Sequence, residues 1–199
     1  MTSTQLIWSG VLALLVFWAV GAYNRLMRLK NAIARAFGPL DVQLKKRLVL
    51  IAGLVDAAAK YPMLEADVLQ AVTLACHQAR SAGDAVRCRP TQAKAVSALS
   101  AAEAALDRCL EALFALVEAH AKLKADDTLK ALADALTSTD TTVTFARQAY
   151  NDAARNYNSA QGEFPALLLA RLFGFGPSVL LQDTPAEKPN DDSTAAAPV

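Results

Sequence analysis

The chain has 199 residues and a formal net charge of +1, with 54% hydrophobic and 20% charged residues. This apolar composition excludes a largely disordered chain, and the few glycines and prolines among many alanines favour helix. The three cysteines, Cys76, Cys88 and Cys109, are odd in number and irregular in spacing. That pattern argues against a disulfide framework and favours a reducing compartment.

An uncharged segment near the N-terminus predicts a membrane anchor. Leu6 to Tyr23 contain no charged residue, and as a helix they would extend ~27 Å, about the thickness of a bilayer's hydrocarbon core. The alternative is a cleaved signal peptide, but such peptides carry a basic residue before the apolar stretch, and residues 1–5 carry none. Because basic residues follow the segment, we predict a single-pass protein with residues 1–5 outside and the remainder in the cytoplasm.

Seven basic residues and one acid lie within residues 24–47, directly after the anchor. Arg25, Arg28 and Lys30 fall within about two helical turns of Tyr23, so they are candidate contacts for anionic lipid headgroups, at ~1 kcal/mol per charge. Fixing the topology explains the same residues and is compatible with lipid contact.

A second basic group, Lys45, Lys46 and Arg47, lies roughly 30 Å beyond the anchor if the helix continues. We predict a solvated face or a contact with a protein partner there. The remaining residues, 48–199, hold 13 bases and 18 acids. This acidic balance disfavours nucleic-acid binding.

Apolar residues at three- and four-residue steps predict a first long helix from Asn24 to Lys60. Gly38-Pro39 interrupts the pattern, and the proline removes a backbone hydrogen bond. The apolar stripe nevertheless keeps its phase, which favours a kinked continuous helix, with a break as the alternative. Tyr61-Pro62 is predicted to end the helix.

Three further helices are predicted from the same periodicity. Asp126 is suited to cap the last of them, because its side chain can accept hydrogen bonds from the first free backbone amides. The weak point of that helix is Thr137–Thr144, which is rich in hydroxyl residues of poor helix propensity, so a local break is left open. The predicted helices cover residues 63–81, 91–119 and 127–163, with a linker over residues 83–90.

These elements predict an all-α fold, in which an N-terminal transmembrane helix leads into an antiparallel bundle of about four long amphipathic helices. The bundle is assigned to residues 24–182, and the acidic tail over residues 183–199 is predicted to be disordered. Phe164 to Leu181 is apolar, yet too short and too broken by glycine and proline to cross a membrane. We expect it to close the membrane-proximal end of the bundle, with Phe173 and Phe175 packed on the first helix or dipped into the membrane interface. Ordinary core filling is the alternative.

The sequence lacks the patterns typical of an active site or a metal centre. Neither His77 nor His120 has a glutamate three positions before it, so the Glu-x-x-His signature of metal-binding bundles is missing. Cys76 and His77 are adjacent and would point ~100° apart on a helix, which is poor geometry for chelation. Phosphate-binding loops and nucleophile elbows are also missing. We therefore expect no catalytic residue, no cofactor and no metal.

Three stretches are specific in combination. They are Tyr23-Asn24-Arg25-Leu26, then Asp41-Val42-Gln43-Leu44-Lys45-Lys46-Arg47, and then Phe145-Ala146-Arg147-Gln148-Ala149-Tyr150-Asn151-Asp152-Ala153 followed by Arg155-Asn156-Tyr157-Asn158 and Phe164-Pro165. In this order and spacing they resemble the LemA family of bacterial membrane proteins over residues 20–180. The resemblance implies a single-span, largely helical protein of the bacterial inner membrane. The family has no established catalytic activity, so the resemblance supplies no catalytic residue.

Together these features favour a membrane-anchored interaction or scaffold protein. It would contact membrane lipids through its N-terminal helix and would bind a protein partner or self-associate. One alternative is a metal-binding or enzymatic bundle. The other is a lipid-sensing or membrane-remodelling protein that acts through the basic residues after the anchor.

Overall fold

The computed structural model describes residues 3–61, 64, 66–164 and 166–181. Within these residues there are six α-helices and no strand, which confirms the predicted all-α fold. The predicted disordered tail lies outside the described residues. The helices are α1 (Ser3–Ala58), α2 (Ala66–Cys88), α3 (Ala93–Ala119), α4 (Ala121–Lys124), α5 (Asp127–Gly162) and α6 (Ala166–Phe173).

Helix α1 is continuous through Gly38-Pro39, as the phase of its apolar stripe predicts. It has 56 residues with Pro39 inside, and at the usual rise it is ~84 Å long. Gly38 and Pro39 face solvent, whereas Phe37 and Leu40 on either side are buried. Packing on both sides of the proline therefore offsets the backbone hydrogen bond that it cannot make. The helix ends at Ala58, two residues before the predicted Lys60.

Helix α2 is longer than predicted, and the linker assigned to residues 83–90 is wrong for most of its length. The helix continues through Gly83 to Cys88. Val86 is fully buried and extends the apolar stripe formed by Val72, Ala75 and Ala79. Burial of this extra turn therefore outweighs the low helix propensity of one glycine.

Helix α5 agrees with its prediction and runs unbroken through the hydroxyl-rich stretch. Five threonines there donate their hydroxyl hydrogens to backbone carbonyls four residues earlier, so the hydroxyl groups are satisfied within the helix. The predicted cap is also confirmed: Asp126 Oδ1 accepts hydrogen bonds from the amides of Thr128 and Leu129, at 2.7 and 3.0 Å. Asp126 Oδ2 also accepts from the Tyr61 hydroxyl at 2.5 Å, which ties the end of α1 to the start of α5.

Helices α1 and α5 form a long antiparallel pair. Arg25 contacts Glu163 at one end of the pair, and Arg47 contacts Asp140 farther along. Helices α2 and α3 form a hairpin that packs on this pair. Near the end of α2, Arg87 approaches Asp41 of α1 at 3.8 Å.

The hairpin covers only the half of α1 that lies far from the predicted anchor. The loop of the hairpin reaches the level of Phe37, since the Tyr150 hydroxyl donates to the Pro90 carbonyl at 3.0 Å and the Tyr150 ring centroid lies 6.0 Å from that of Phe37. From Phe37 back to Tyr23 is a distance of ~21 Å along the helix. In that interval, α6 and the residues after it cover the side of the α1–α5 pair that the hairpin leaves open. Ala166 and Leu181 belong to the same buried cluster as Leu26 and Ile33. The half of the bundle nearest the predicted anchor is therefore built from α1, α5, α6 and residues 175–181.

Candidate interaction sites

Two of the three basic residues nearest the predicted anchor contact residues near the C-terminal end of the bundle. Arg25 Nη1 lies 2.9 Å from Glu163 Oε2, and both side chains are half exposed. Lys30 Nζ lies 5.5 Å from the centroid of the Phe175 ring, within the range of a cation–π contact. Arg28 is exposed. An exposed ion pair contributes at most ~1 kcal/mol, so Arg25 can exchange Glu163 for another anion at little cost.

The second basic group does not act as a unit. Lys45 Nζ lies 2.7 Å from Asp41 Oδ2 and is half-buried, and Lys46 is exposed. Arg47 is 8% exposed and lies between three helices. The expectation of a solvated face or partner contact is therefore wrong for Arg47, because Arg47 lies three residues after Leu44 and four before Ile51, on the buried face of the helix.

Five ionisable residues from three helices form a group that we call the Arg47 cluster, of which Arg47, Glu103 and Arg147 are buried and Asp107 and Asp140 are partly exposed: Arg47, Glu103, Asp107, Asp140 and Arg147. Arg47 bridges α3 and α5, since its Nη2 donates to Asp107 and its Nε donates to Asp140, each at 2.6 Å. Arg147 Nη2 donates to Glu103 Oε2 at 2.7 Å, and both side chains are about nine-tenths buried. The cluster therefore links α1, α3 and α5 through charge-assisted hydrogen bonds.

Burial is the main cause of the pKa shifts of Glu103 and Asp140 in this cluster. Burial raises the pKa of Glu103, and the charges of Arg147 and Arg47 oppose the rise only in part. Burial likewise raises the pKa of Asp140 against the effect of Arg47. For Arg47, burial works against the charge, but the hydrogen bond and charge of Asp107 keep its pKa raised. Removal of Arg147 would leave the carboxylate of Glu103 buried without the guanidinium that lies 2.7 Å from it.

Sequence periodicity contained a signal for this cluster. Arg47, Glu103 and Arg147 each fall in phase with an apolar stripe, beside Leu48, Leu106 and Tyr150 respectively, all of them buried. A charged residue at a core position in each of three helices indicates a buried ionic contact between them.

Residues 175–181, which we call the C-terminal segment, run along α5 in an extended conformation. Asn158 accepts from the Ser178 amide at 2.8 Å and donates to the Ser178 carbonyl at 2.7 Å. Asn151 makes the same pair of bonds with the amide and carbonyl of Leu181, both at 2.9 Å. Each asparagine amide thus pairs with the backbone as a neighbouring strand would. The sequence indicated only that these asparagines make polar contacts between helices.

Two further α5 side chains hold the beginning of the segment. The Tyr157 hydroxyl donates to the Gly176 carbonyl at 3.1 Å, and the Gln161 side-chain amide donates to the Phe175 carbonyl. The turn into the segment is made by Gly174, whose φ is +68°, with the Phe175 amide donating to the Ala170 carbonyl at 2.9 Å. This is the glycine-terminated helix end in which a left-handed residue reverses the chain.

Two clefts of the bundle are open to solvent. One, of about 530 Å³, lies between the end of α3 and the start of α5, and its apolar lining includes Leu54 and Leu129. A second, of about 340 Å³, borders the Arg47 cluster. In the part of the chain that the structure describes, no three His, Cys, Asp or Glu side chains are grouped as metal ligands. Burial raises the pKa of the Cys76 thiol, which keeps it protonated.

The N-terminal part of α1 carries the membrane signal. Among the described helices, only α1 is long and apolar enough to cross a membrane, with a mean hydropathy of 1.5 over its most apolar 18 residues. Leu14 and Phe17 are 71% and 78% exposed. Phe173 and Phe175 both contact Tyr23, with ring centroids 5.3 and 5.7 Å apart. Phe175 is half-buried and Phe173 is exposed.

Helix α1 is apolar and exposed at its start, and farther on it forms part of the bundle core. This arrangement defines a class of all-helical proteins built on one N-terminal helix. The chain belongs to the LemA family, whose family model matches residues 36–192. The match includes the second and third stretches of the resemblance and begins after Tyr23-Asn24-Arg25-Leu26. A search of curated proteins found no match.

Proposed function

We propose that this chain is a membrane-anchored interaction protein, whose first helix crosses the bacterial inner membrane and holds the bundle in the cytoplasm. The observation that supports this proposal is the continuity of α1. Its exposed apolar part passes without a break into the part where Leu26 and Ile33 are fully buried in the bundle. Lipid suits the first environment and protein the second, so one rigid helix would fix the bundle relative to the membrane.

We propose contact with a partner rather than catalysis as the mode of action. The acidic residues that burial perturbs most are engaged by arginines and link helices, as Glu103 is by Arg147. Such groups serve to specify how helices meet, a recognised use of buried ion pairs. Stoichiometric metal bound to the purified full chain, or an activity lost on Glu103→Gln with the fold retained, would contradict this assignment.

The proposed partner surface is a stripe on α1 formed by Val42, Lys46 and Val49. These positions, four and three residues apart, share one helix face. Val42 and Val49 are 62% and 63% exposed, and the exposed Lys46 lies between them. Two exposed β-branched residues around one lysine suit a helix of a partner that offers apolar side chains and a carboxylate. A second copy of this chain is a partner of the same chemistry, because the bundle is rich in both.

Site-specific photocross-linking tests this surface in the native membrane. A photoreactive residue at Val42 or Val49 is expected to give the same discrete cross-linked product. The matched control is Leu74 of α2, which is equally apolar and 59% exposed. Products of equal yield at Leu74 would mean that the stripe has no special role. Mass spectrometry of the product distinguishes a partner from a second copy of the chain.

The orientation has its own test. A reporter that is active only outside the cytoplasm, fused after Val199, is expected to be silent. Activity of that reporter would place the bundle on the other side of the membrane and refute the proposed topology.

A further inference from the structure

Helix α6 has an inverted distribution of side chains. Ala166 and Ala170, four residues apart on one face, are buried against the rest of the molecule. The large apolar residues Leu168, Leu172 and Phe173 point outward, and Leu172 is 77% exposed. A helix on the surface of a water-soluble bundle buries its large apolar residues and exposes polar ones. Helices in lipid have the opposite arrangement: their small residues face the protein and their large apolar residues face outward.

The same surface continues on both sides of α6 and joins the apolar part of α1. Phe164, just before the helix, is 76% exposed and its ring centroid lies 5.8 Å from that of Trp18. Phe173, at the end of the helix, contacts Tyr23. Trp18 and Tyr23 differ by ~7.5 Å in height along α1. The segment from Phe164 to Phe173 thus extends over ~7.5 Å of the length of α1. Helices that lie in a membrane interface are buried to a similar depth, about 5–10 Å.

Polar contacts bound this region on the side of the bundle. The pair formed by Arg25 and Glu163 lies directly before the apolar segment, at the height expected for lipid headgroups. After the segment, the asparagine contacts of α5 direct the chain away from the anchor. In the sequence, Arg171 is the one charged residue between Phe164 and Leu181.

We propose that Phe164 and α6 lie embedded in the cytoplasmic leaflet of the bilayer that α1 crosses, with their exposed apolar side chains among lipid acyl chains. This inference rests on the proposed anchoring by α1. It gives the protein a second membrane contact, made by the opposite end of the chain, and it supplies the cover that the exposed residues of α6 lack in the protein itself. The bundle is then held at two points, which prevents rotation about the axis of α1.

Depth-dependent fluorescence quenching tests the proposal on the full chain. The protein carries Trp8→Phe and Trp18→Phe and receives one reporter tryptophan: Phe164→Trp, Leu172→Trp, Phe145→Trp or Leu14→Trp. Each is reconstituted in phosphatidylcholine and phosphatidylglycerol vesicles with or without brominated acyl chains. Phe145 is the matched control, an exposed phenylalanine of α5 that lies ~26 Å along the helix from Gly162 at its membrane-proximal end.

Brominated lipid is expected to quench the reporters at 164 and 172 about fivefold more than the reporter at 145, because bromine quenches tryptophan only within the leaflet. Quenching at 14 with none at 164 or 172 would overturn the proposal while the anchor stands. Absence of quenching at 14 would refute the anchor, and the inference with it. If 164 and 172 are shielded from aqueous acrylamide yet insensitive to brominated lipid, a protein surface covers α6, which also overturns the proposal. The Leu172 variant guards against a misfolded Phe164 variant, because Leu172 is nearly free of protein contacts.

Discussion

Arg147→Met tests whether Glu103 is held ionised by its buried partner. Methionine fills the volume of the arginine stem but removes the guanidinium, which lies 2.7 Å from Glu103. The carboxyl can then escape its unfavourable environment only by taking up a proton. From an ordinary value of ~4.3, this costs up to ~3.7 kcal/mol at pH 7, at 1.36 kcal/mol per unit. The variant should therefore lose up to about 3–4 kcal/mol, in the range measured when one partner of a buried pair is removed.

The pH dependence has a definite sign. Burial already raises the pKa of Glu103 in the folded state, and loss of Arg147 raises it further. A carboxyl group whose pKa is raised in the folded state binds protons more readily in the folded protein than in the unfolded chain. It therefore destabilises the fold increasingly as the pH rises above the pKa that the group has in the unfolded chain. The difference between variant and wild type should hence shrink on going from pH 7 to pH 5, by up to ~2.7 kcal/mol.

Urea unfolding of the full chain in detergent micelles, followed by helical circular dichroism, measures both quantities. The matched control is Arg155→Met on the same helix, where the ion pair with Asp152 has the same 2.7 Å distance but is more than half exposed. That variant should change the unfolding free energy by about 0.5 kcal/mol or less. Glu103→Leu combined with Arg147→Met should recover most of the loss. A loss below ~1 kcal/mol at pH 7, or a double variant no better than Arg147→Met, would refute this account of the cluster.

Three other substitutions have clear expectations. Gly83→Ala should stabilise the protein by ~0.5–1 kcal/mol, because Gly83 is inside α2 and an added Cβ meets nothing within 4 Å. The variant should have a higher melting temperature, and a lower one would contradict the open space around this position. Gly174→Ala should cost ~1 kcal/mol in urea unfolding, because the positive φ of Gly174 suits a residue without Cβ, and an unchanged free energy would mean that the turn relaxes freely. Asn158→Ala should accelerate hydrogen exchange at the Ser178 amide, which loses its acceptor, while Asn156→Ala serves as the control; unchanged exchange would show that the segment is held without Asn158.

The parts of the fold that local pattern determines could be predicted. The phase of the apolar stripe was sufficient to carry α1 across Pro39, because the proline faces solvent and the residues around it are buried. The capping chemistry of Asp126 set the start of α5. In both cases the deciding interactions lie within a few residues of each other in the sequence.

The errors arose where contacts between distant residues decide the structure. In the sequence, Gly83 indicates the end of a helix. The helix continues past it because Val86 is buried in the bundle. Arg47 reads as one of three surface bases, and only the arrival of Asp107 and Asp140 from other helices makes its burial tolerable. The extended course of the C-terminal segment likewise depends on acceptors and donors that α5 supplies from a distance.

The spacing of those α5 side chains explains why the segment is extended rather than helical. Asn151 and Asn158 are two helical turns apart, ~10.5 Å along α5. Three residues of extended chain cover ~10 Å, and the two asparagines pair with Ser178 and Leu181, which are three residues apart. Pro177 has no amide hydrogen to donate, and none is needed there, because the asparagines bond to the backbone of Ser178 and Leu181. A helix with polar amides at every seventh position can thus hold an extended chain against itself, and here it does so where the α2–α3 hairpin no longer covers the α1–α5 pair.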